Sequence, residues 1–328
     1  MHAMLVNEKK ELVWTEVPDP TMGPDEVVVD IHAAAVNRAD LLQRQGKYPP
    51  PPGAPEWMGL EASGVISRMG ESVAAAGRWN VGDKMCALLA GGGYAEKVAV
   101  RAEVLAPVPA GLTMEEAASL PEVFSTAYLN LVIEADVKEG ETVLIHAGAS
   151  GVGIAAIQIA KYLGARVVTT VGSEAKARAV AAIGADVIVD RTAADLDAVL
   201  DDCQAQGRPV DVVLDCLGGE DLGRQLLRLA RGGRWILIAT LAGEYTRVPL
   251  RALLKGGLRL IGSTLRSRPL AVKAQIIEQL TRRIWPAIES GSIRPAIHRV
   301  LPIDQAEQAH AILERRENIG KVVLQVAN

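Results

Sequence analysis

Aromatic side chains, cysteines and long apolar runs are all scarce in this 328-residue chain. One phenylalanine, five tyrosines and five tryptophans are too few for a surface that stacks nucleic-acid bases. The three cysteines, Cys86, Cys203 and Cys216, are odd in number and far apart, which excludes a disulfide framework and a CxxC zinc site. No apolar run reaches the ~18 residues of a membrane helix and no charged-then-apolar leader is evident. We therefore expect a reducing, cytoplasmic setting.

An excess of positive charge is also absent. The chain carries 35 lysines and arginines against 39 aspartates and glutamates, a net charge of −4, with a pI near 5.8. Nucleic-acid surfaces and polybasic membrane patches need clustered positive charge, so we expect neither nucleic acid nor membrane as a partner. Apolar residues make up 49% of the chain, and its length suffices for about two domains, as in a globular enzyme.

A glycine-rich turn between two apolar runs is the most informative stretch. The run 142–146 leads into a turn with Gly148, Gly151 and Gly153, and an amphipathic run, 154–163, leaves it before a second apolar run. This pattern predicts a strand–turn–helix–strand unit whose glycines let a pyrophosphate approach the helix N-terminus. The alternative is a tight turn in an ordinary α/β domain, since the spacing G-x-x-G-x-G departs from G-x-G-x-x-G. The predicted phosphate-binding residues are Ser150, Gly151 and Val152.

The order of the predicted strands divides the chain into two regions. Residues 1–110 contain short strands separated by turn clusters, which is typical of a small, strongly bent antiparallel barrel. Residues 113–135 are predicted to be helical, with a break at Pro121. From residue 142, six apolar strands alternate with helices, so we predict an α/β fold with a doubly wound parallel sheet. The later helices are predicted near 151–163, 174–183, 194–205, 220–230 and 269–290.

Six motifs carry a family resemblance. They are NRADLLQRQGKYPPPPG (37–53), GLEASG (59–64), GGGYAE (91–96), HAGASGVG (146–153), DCLGG (215–219) and NIGKVVL (318–324). Through them the chain resembles the zinc-free quinone oxidoreductases of the medium-chain dehydrogenase/reductase superfamily, and most of all their tumour-suppressor-inducible branch. The resemblance covers essentially the whole chain. It implies a GroES-like catalytic domain from residues 1–122 and 267–328, a Rossmann domain from residues 123–266, an active-site cleft between the two, and a homodimer.

The ligands of a catalytic zinc are missing. Zinc members of the superfamily carry a His–Glu pair in a GHExxG stretch, but here Leu60 replaces the imidazole, and a hydrocarbon side chain cannot coordinate zinc. Asn37 stands where the resemblance implies a thiolate, and the four-cysteine structural lobe is absent from the sequence. We therefore expect no metal. Glu61 is interpreted as a buried, hydrogen-bonded structural carboxylate in preference to an acid or base.

The end of the second Rossmann strand predicts the cofactor. NAD-preferring sites place an acid there for the ribose 2′-hydroxyl, whereas this chain has Gly172 and Ser173. Gly172 leaves space, Ser173 offers a hydroxyl, and Lys176 and Arg191 offer cations to a 2′-phosphate. Glu174 is the counter-evidence, unless it is simply an acid in the first turn of a helix. We predict NADPH, while the two cations could instead be solvated surface charges.

Four polar residues are predicted to lie near the hydride acceptor. The resemblance assigns Tyr48, before a stiff polyproline loop, as the donor to the oxygen that gains negative charge; the alternative is packing within the loop. Asn37 resembles the amide beside the nicotinamide and would also suit a helix N-cap. Thr126 matches a position whose hydroxyl lies near the nicotinamide, although a mid-helix threonine often bonds its own backbone. Asp40 is predicted to orient Arg38 or to bind a cofactor ribose hydroxyl.

Residues near other strand ends complete the predicted cofactor site. Because ligands bind beyond the carboxyl ends of parallel strands, Cys216 and Leu217 are predicted to line the adenosine side. Arg266 is predicted to close over the cofactor or substrate, or to form an interdomain salt bridge. Lys321 is predicted to touch the cofactor from the C-terminal segment, and His146 is interpreted as a core residue. The resemblance adds Leu241, Leu265 and Asn318 to the cofactor contacts.

The predicted activity is NADPH-dependent reduction of ortho- or para-quinones, with Tyr48 or water supplying the proton. Two alternatives stay open. One is reduction of activated C=C bonds in alkenals or enones, and the other is a low-turnover NADPH-binding sensor or scaffold protein. The apolar strands RWILIA and LRLIGST could pair across a two-fold axis, consistent with the homodimer that the resemblance implies.

Overall fold

The structure is a computed structural model that describes residues 1–326. It divides into two compact units. Unit 1 consists of Met1–Ser125 and the described residues from Leu265 onward, and unit 2 consists of Thr126–Thr264. No helix in the described part of the chain is both long and apolar enough to cross a bilayer.

Fifteen strands and twelve α-helices form within residues 1–326. The strands are β1 (His2–Val6), β2 (Leu12–Glu16), β3 (Glu26–Ala35), β4 (Glu61–Met69), β5 (Lys84–Leu88), β6 (Lys97–Arg101), β7 (Leu105–Pro107), β8 (Thr142–Ile145), β9 (Arg166–Val171), β10 (Val187–Asp190), β11 (Val210–Asp215), β12 (Leu229–Leu237), β13 (Arg259–Gly262), β14 (Ile297–Pro302) and β15 (Lys321–Gln325). The helices are α1 (Arg38–Arg44), α2 (Glu71–Ala76), α3 (Met114–Ala118), α4 (Pro121–Tyr128), α5 (Gly151–Tyr162), α6 (Glu174–Ala182), α7 (Leu196–Ala205), α8 (Glu220–Gln225), α9 (Leu250–Gly256), α10 (Leu270–Arg283), α11 (Trp285–Glu289) and α12 (Ala306–Glu314).

Unit 1 is built around one seven-stranded sheet. Its order is β14-β15-β3-β4-β5-β7, and β6 also pairs with β3. The long, mostly buried β3 pairs antiparallel with β4, β6 and β15, and register shifts against β4 bend it. The last strand of the chain therefore joins the sheet of the N-terminal region. Within residues 1–110 the strands of this sheet pair antiparallel, as predicted, and β14 and β15 of the C-terminal segment add a parallel pair, which the crossover through α12 permits.

Unit 2 contains one six-stranded parallel sheet in the order β10-β9-β8-β11-β12-β13, which confirms the predicted doubly wound fold. Its central strands are apolar at successive positions because helices cover both faces. Trp235 of β12 is fully buried in one of the clusters that fill the core. The strand order reverses between β8 and β11, and ligands of such sheets bind beyond the carboxyl ends of the strands at this point.

Several helices differ from the sequence predictions. The segment predicted as one helix over 269–290 forms two, α10 and α11, because Pro286 in the first turn of α11 lacks the N–H that would continue the ladder. The helix predicted to reach residue 230 ends at Gln225, since Leu229 already begins β12. The sequence patterns do not predict the short helices α2 and α9. The predicted break at Pro121 is confirmed, because α3 ends before it and α4 begins there.

Candidate functional site

The glycine turn of unit 2 follows β8, where the strand order reverses. Two of its glycines are required by close packing. A Cβ on Gly148 would lie 2.0 Å from Thr169 Oγ1, and one on Gly153 would lie 2.4 Å from the Ala147 carbonyl oxygen. Ser150 caps α5, since its side chain accepts a hydrogen bond of 3.0 Å from the Gly153 N–H. The turn therefore holds helix and strand at a distance that no larger residue would allow.

The first N–H groups of α5 are available to a ligand. Within residues 1–326, no hydrogen bond engages the N–H groups of Gly151 and Val152. Free N–H groups at the start of a helix, together with the helix dipole, favour an anion. Ser150, Gly151 and Val152 thus have the geometry that a pyrophosphate site requires, and their binding role stays a prediction.

The residues predicted to bind the 2′-phosphate lie just after the ends of β9 and β10. Gly172 follows β9 and Arg191 follows β10, and a Cβ on Gly172 would lie 3.5 Å from Arg191 Nη2. Ser173 caps α6 by accepting from the Lys176 N–H at 3.4 Å. Glu174 is ion-paired with the arginine four residues later in the same helix, so its charge is already matched. The structure thus brings a small residue, a hydroxyl and a guanidinium to one edge of the sheet.

The predicted adenosine-side residues meet at the ends of β11 and β12. The Leu241 N–H donates to the Cys216 carbonyl at 3.2 Å, and the N–H of the next residue donates to the Leu217 carbonyl at 2.8 Å. The Leu241 side chain is 44% exposed. Asp215 fixes this turn, since its carboxylate accepts from the Leu217 N–H at 2.6 Å and from the Trp235 indole at 3.0 Å.

Four other predicted residues have the following surroundings. Thr126 is 9% exposed in α4, where its carbonyl accepts from a side-chain amide one turn later. Leu265 is buried in unit 1, and the Asn318 amide donates to the Gly320 carbonyl at 2.8 Å. Burial lowers the pKa of His146, as expected for the core residue that the sequence indicates.

Unit 1 places Asn37 between β3 and α1. The Asn37 N–H donates to Asp40 Oδ2 at 2.7 Å, and Asp40 Oδ1 accepts from the Gly59 N–H at 3.1 Å. The Tyr94 hydroxyl donates to Asp40 Oδ2 at 3.2 Å. Asp40 is fully buried, and burial raises its pKa to about 6 against the opposing effect of these hydrogen bonds. Because its carboxylate holds the turn together, we do not carry Asp40 into the proposed ribose contacts.

Glu61 and Lys321 form a buried ion pair beside Asn37. Lys321 Nζ lies 2.7 Å from Glu61 Oε1 and also donates to Asn37 Oδ1 at 2.7 Å and to the Val36 carbonyl at 2.8 Å. Asn37 Nδ2 donates to Glu61 Oε1 at 3.0 Å. All three ammonium N–H groups therefore have acceptors within the chain, so we do not carry Lys321 into the proposed cofactor contacts. Glu61 is fully buried and is the structural carboxylate that the sequence indicates.

Glu122, in the first turn of α4, is a functional candidate that sequence reasoning missed. Its backbone N–H donates to Glu61 Oε2 at 2.8 Å, while its own Oε2 is buried with no hydrogen-bond partner in the described residues. Burial, followed by the negative charge of Glu61, raises the pKa of Glu122 to about 8. In the sequence it resembles an ordinary first-turn acid, and only its contact with a strand sixty residues earlier reveals its environment.

Tyr48 is half-buried against Arg266. The Arg266 guanidinium lies 5.3 Å from the centroid of the Tyr48 ring, in cation–π range, and donates to Gln43 Oε1 at 2.7 Å and the Ala90 carbonyl at 2.8 Å. Arg266 is only 5% exposed. Burial raises the pKa of Tyr48, with a further increase from the negative charge of Glu122. Tyr48 is thus a protonated phenol at neutral pH on a braced loop.

Comparison with known proteins places this arrangement in a family. Residues 23–110 match the model of the alcohol dehydrogenase GroES-like domain, and residues 151–282 match the model described as zinc-binding dehydrogenase. The quinone oxidoreductase of Sus scrofa is 31% identical over 317 residues, which cover 94% of this chain and 92% of that protein. The chain belongs to the quinone oxidoreductase family of the medium-chain dehydrogenases/reductases.

Solved structures support the same family. The quinone oxidoreductase of Thermus thermophilus, determined alone and in complex with NADPH, is 31% identical with a TM-score of 0.83, covering 99% of this chain and 100% of that one. The JamJ enoyl reductase is 26% identical with a TM-score of 0.86 and covers 99% of both chains. The family member described here therefore shares its fold with both quinone and enoyl reductases.

Longer relatives contain a similar segment. A highly reducing polyketide synthase of Cordyceps militaris is 32% identical over 323 residues, but these residues span only 12% of its length.

The matching family model is described as zinc-binding, but the described residues of this chain offer no set of zinc ligands. Among the residues that the structure describes, no cluster of three or more His, Cys, Asp or Glu side chains could hold a metal ion. Leu60 is buried, and the cation next to Glu61 is the ammonium of Lys321.

Proposed function

We propose that this oxidoreductase is an NADPH-dependent quinone reductase that transfers hydride to ortho- or para-quinones without a metal. The observation that carries the proposal is the environment of Tyr48. Its phenol is half-buried against Arg266 and, like any phenol of ordinary or raised pKa, keeps its proton at neutral pH. A quinone that accepts hydride develops negative charge on oxygen, and a nearby phenol stabilises that charge by donating a hydrogen bond or a proton.

The cofactor assignment is supported by unit 2. When bound, NADPH supplies the hydride. The N–H groups of Gly151 and Val152 would bind its pyrophosphate, and Arg191 beside Gly172 would bind the 2′-phosphate with Lys176. The NADPH complex of the Thermus thermophilus relative supports the same choice. We retain as proposed cofactor contacts Asn37, Thr126, Ser150, Ser173, Cys216, Leu217, Leu241, Leu265 and Asn318.

The ion pair in unit 1 supports metal-independent chemistry. Lys321 neutralises the charge of Glu61, so this carboxylate needs no metal ion as its counter-ion. Leu60, in the same GLEASG motif, offers no atom that could coordinate a metal. We infer that Lys321 and Glu61 fix the orientation of the Asn37 carboxamide, because Lys321 donates to its Oδ1 and Glu61 accepts from its Nδ2.

The test is NADPH oxidation with 1,2-naphthoquinone beside a panel of alkenals and enones. We expect quinone turnover that survives chelators, and we expect Tyr48→Phe to lower kcat by about 10²-fold, in the range of a lost acid catalyst. Full kcat in Tyr48→Phe would remove Tyr48 as the donor. Turnover of alkenals with none on quinones would remove the quinone assignment.

Reduction of activated C=C bonds is the second candidate. It is favoured by the similarity to the JamJ enoyl reductase and to polyketide synthases. The same phenol would serve, because hydride addition to an enone also places negative charge on the carbonyl oxygen. Tight NADPH binding without either activity would instead support a sensor or scaffold protein.

A homodimer is also proposed. Strand β13 is at the edge of the unit 2 sheet, and apolar side chains near it are exposed: Leu254 is 79% exposed, Leu250 70% and Leu260 42%. Exposed apolar patches on sheet edges favour pairing with a second copy. Cysteines that are few, odd in number and far apart in the sequence support the reducing, cytoplasmic setting that we propose.

A further inference from the structure

One residue of the glycine turn in unit 2 has a backbone conformation that its side chain disfavours. Ala147, between β8 and α5, has a φ of 52°, in the left-handed region where glycine is normally found. A residue with a Cβ populates this region about tenfold less than the right-handed one. Such a conformation persists only where the surrounding structure holds it, so the contacts of Ala147 show what maintains the turn.

Both peptide groups that flank Ala147 are bound to one residue, Thr170 of β9. The Ala147 N–H donates to Thr170 Oγ1 at 3.1 Å, and the Gly148 N–H donates to the Thr170 carbonyl at 2.9 Å. Peptide groups are planar, so fixing the one before and the one after a residue fixes its φ and ψ. Thr170 is fully buried, which shields these hydrogen bonds from water. Thr170 therefore holds Ala147 in the left-handed region.

His146 orients the Thr170 hydroxyl. His146 Nδ1 lies 3.3 Å from Thr170 Oγ1. Burial lowers the pKa of His146, so the imidazole is neutral and one of its ring nitrogens is an acceptor. Because Thr170 Oγ1 already accepts from the Ala147 N–H, its own proton is directed to His146 Nδ1. The hydroxyl is thus engaged both as acceptor and as donor, which fixes its rotamer.

The conformation of Ala147 shapes the start of α5. The Ala147 carbonyl accepts from the Ser150 N–H at 2.9 Å, and the Ser150 hydroxyl accepts from the Gly153 N–H at 3.0 Å. These bonds engage the N–H groups on either side of Gly151 and Val152, whose own N–H groups have no hydrogen bond within the described residues. The two free N–H groups are the ones assigned above to the pyrophosphate, so the turn at Ala147 is part of that cradle.

We propose that Thr170 is a positioning residue of the cofactor site, because its hydroxyl and carbonyl hold Ala147 in the conformation that leaves the Gly151 and Val152 N–H groups available to NADPH. The turn is then formed before the cofactor arrives, and binding does not have to supply the free energy of forming it. The inference rests on the pyrophosphate assignment and not on the identity of the hydride acceptor.

The experiment measures the Kd of NADPH and of NADH by fluorescence titration. In Thr170→Val, which keeps the shape but lacks the hydroxyl, we expect both dinucleotides to bind about tenfold more weakly, because both carry the pyrophosphate and the turn is less often formed. Thr170→Ser keeps the hydroxyl and should bind both as the wild type does. Adding Ala147→Gly to Thr170→Val should restore most of the affinity, because glycine adopts a positive φ without support.

Thr169→Ala is the matched control for a lost buried threonine. Thr169 is the preceding residue of β9 and is also fully buried, but its hydroxyl donates to the Ile145 carbonyl at 2.8 Å and not to the turn. We expect this variant to lose stability in thermal unfolding and to bind NADPH as the wild type does. An equal loss of affinity in Thr169→Ala and Thr170→Val would reduce the effect to general destabilisation and overturn the proposal.

A variant at Ala147 itself keeps the test decisive if Thr170→Val does not fold. Ala147 is partly exposed, and Ala147→Val leaves Thr170 intact while placing a β-branched residue at a positive φ, which is strongly disfavoured. We expect its NADPH Kd to rise at least about tenfold. Unchanged affinity in Ala147→Val or Thr170→Val, or no rescue by Ala147→Gly, would overturn the proposal. A wild type that bound neither dinucleotide would overturn the cofactor assignment as well, whereas absent quinone turnover would affect only the proposed function.

Discussion

Replacing Lys321 with methionine tests the buried ion pair beside Asn37. Methionine has a similar length and removes only the charge and the three hydrogen bonds of the ammonium. Glu61, fully buried, would keep its donors from Asn37 and Glu122 but lose its counter-ion. Because breaking one side of a buried ion pair costs about 3–5 kcal/mol, we expect Lys321→Met to lower the free energy of unfolding by that amount. This is a large part of the 5–15 kcal/mol that is typical of a folded domain.

A double-mutant cycle separates the unpaired charge from lost packing. Lys321→Met/Glu61→Gln buries no charge, so we expect it to be more stable than Lys321→Met alone, with a coupling energy of at least about 2 kcal/mol. Lys97→Met is the matched control in the same unit. Lys97 pairs with Asp19 at 2.9 Å, but both side chains are more than a third exposed, and such pairs contribute about 0–1 kcal/mol.

The assay is urea unfolding followed by tryptophan fluorescence. Unit 1 contributes four of the five tryptophans, so the signal reports mainly on the unit that holds the pair; they are Trp14, Trp57, Trp79 and Trp285. A loss below about 1 kcal/mol in Lys321→Met, or strict additivity in the cycle, would show that water replaces the ammonium. That result would refute the argument that Lys321 is what neutralises Glu61.

Three further predictions concern unit 2. Lys176→Glu and Arg191→Ala should each weaken NADPH binding far more than NADH binding in fluorescence titrations, and equal weakening would contradict the 2′-phosphate assignment. Gly148→Ala should destabilise the protein by about 1–3 kcal/mol in thermal unfolding, because its Cβ would lie 2.0 Å from Thr169 Oγ1; Thr169→Ala should restore part of the loss, and no restoration would disprove the clash. Leu254→Glu should yield a particle of 34.8 kDa in sedimentation, whereas an unchanged dimer mass would exclude this patch from the interface.

Sequence patterns predicted the parallel sheet of unit 2 well because its signals are local. Apolar strands alternate with helices there, and the glycines of the first turn mark the point where backbone and ligand approach each other. Local patterns predicted the ends of two helices wrongly, because residues that follow each helix determine where it stops. The helix expected to reach residue 230 stops at Gln225 because Leu229 pairs with β11, and the break at Ile284 depends on Pro286. The strand order itself follows from fold-level rules and not from periodicity.

The surroundings of Asn37 and Tyr48 could be predicted only in part, because the residues that contact each other there are far apart in the sequence. Tyr48 and Asn37 were identified by their motif, but the charge that matches Glu61 comes from Lys321, at the start of the last strand. A lysine at a strand end normally indicates solvent, so only the return of β15 to β3 reveals its burial. Glu122 gives the same lesson for acids: a first-turn glutamate is ordinary in water, but here burial and the charge of Glu61, from a distant strand, raise its pKa to about 8. Titration behaviour is therefore a property of the assembled unit, and residues of this kind are found by burial and hydrogen bonding and not by motif.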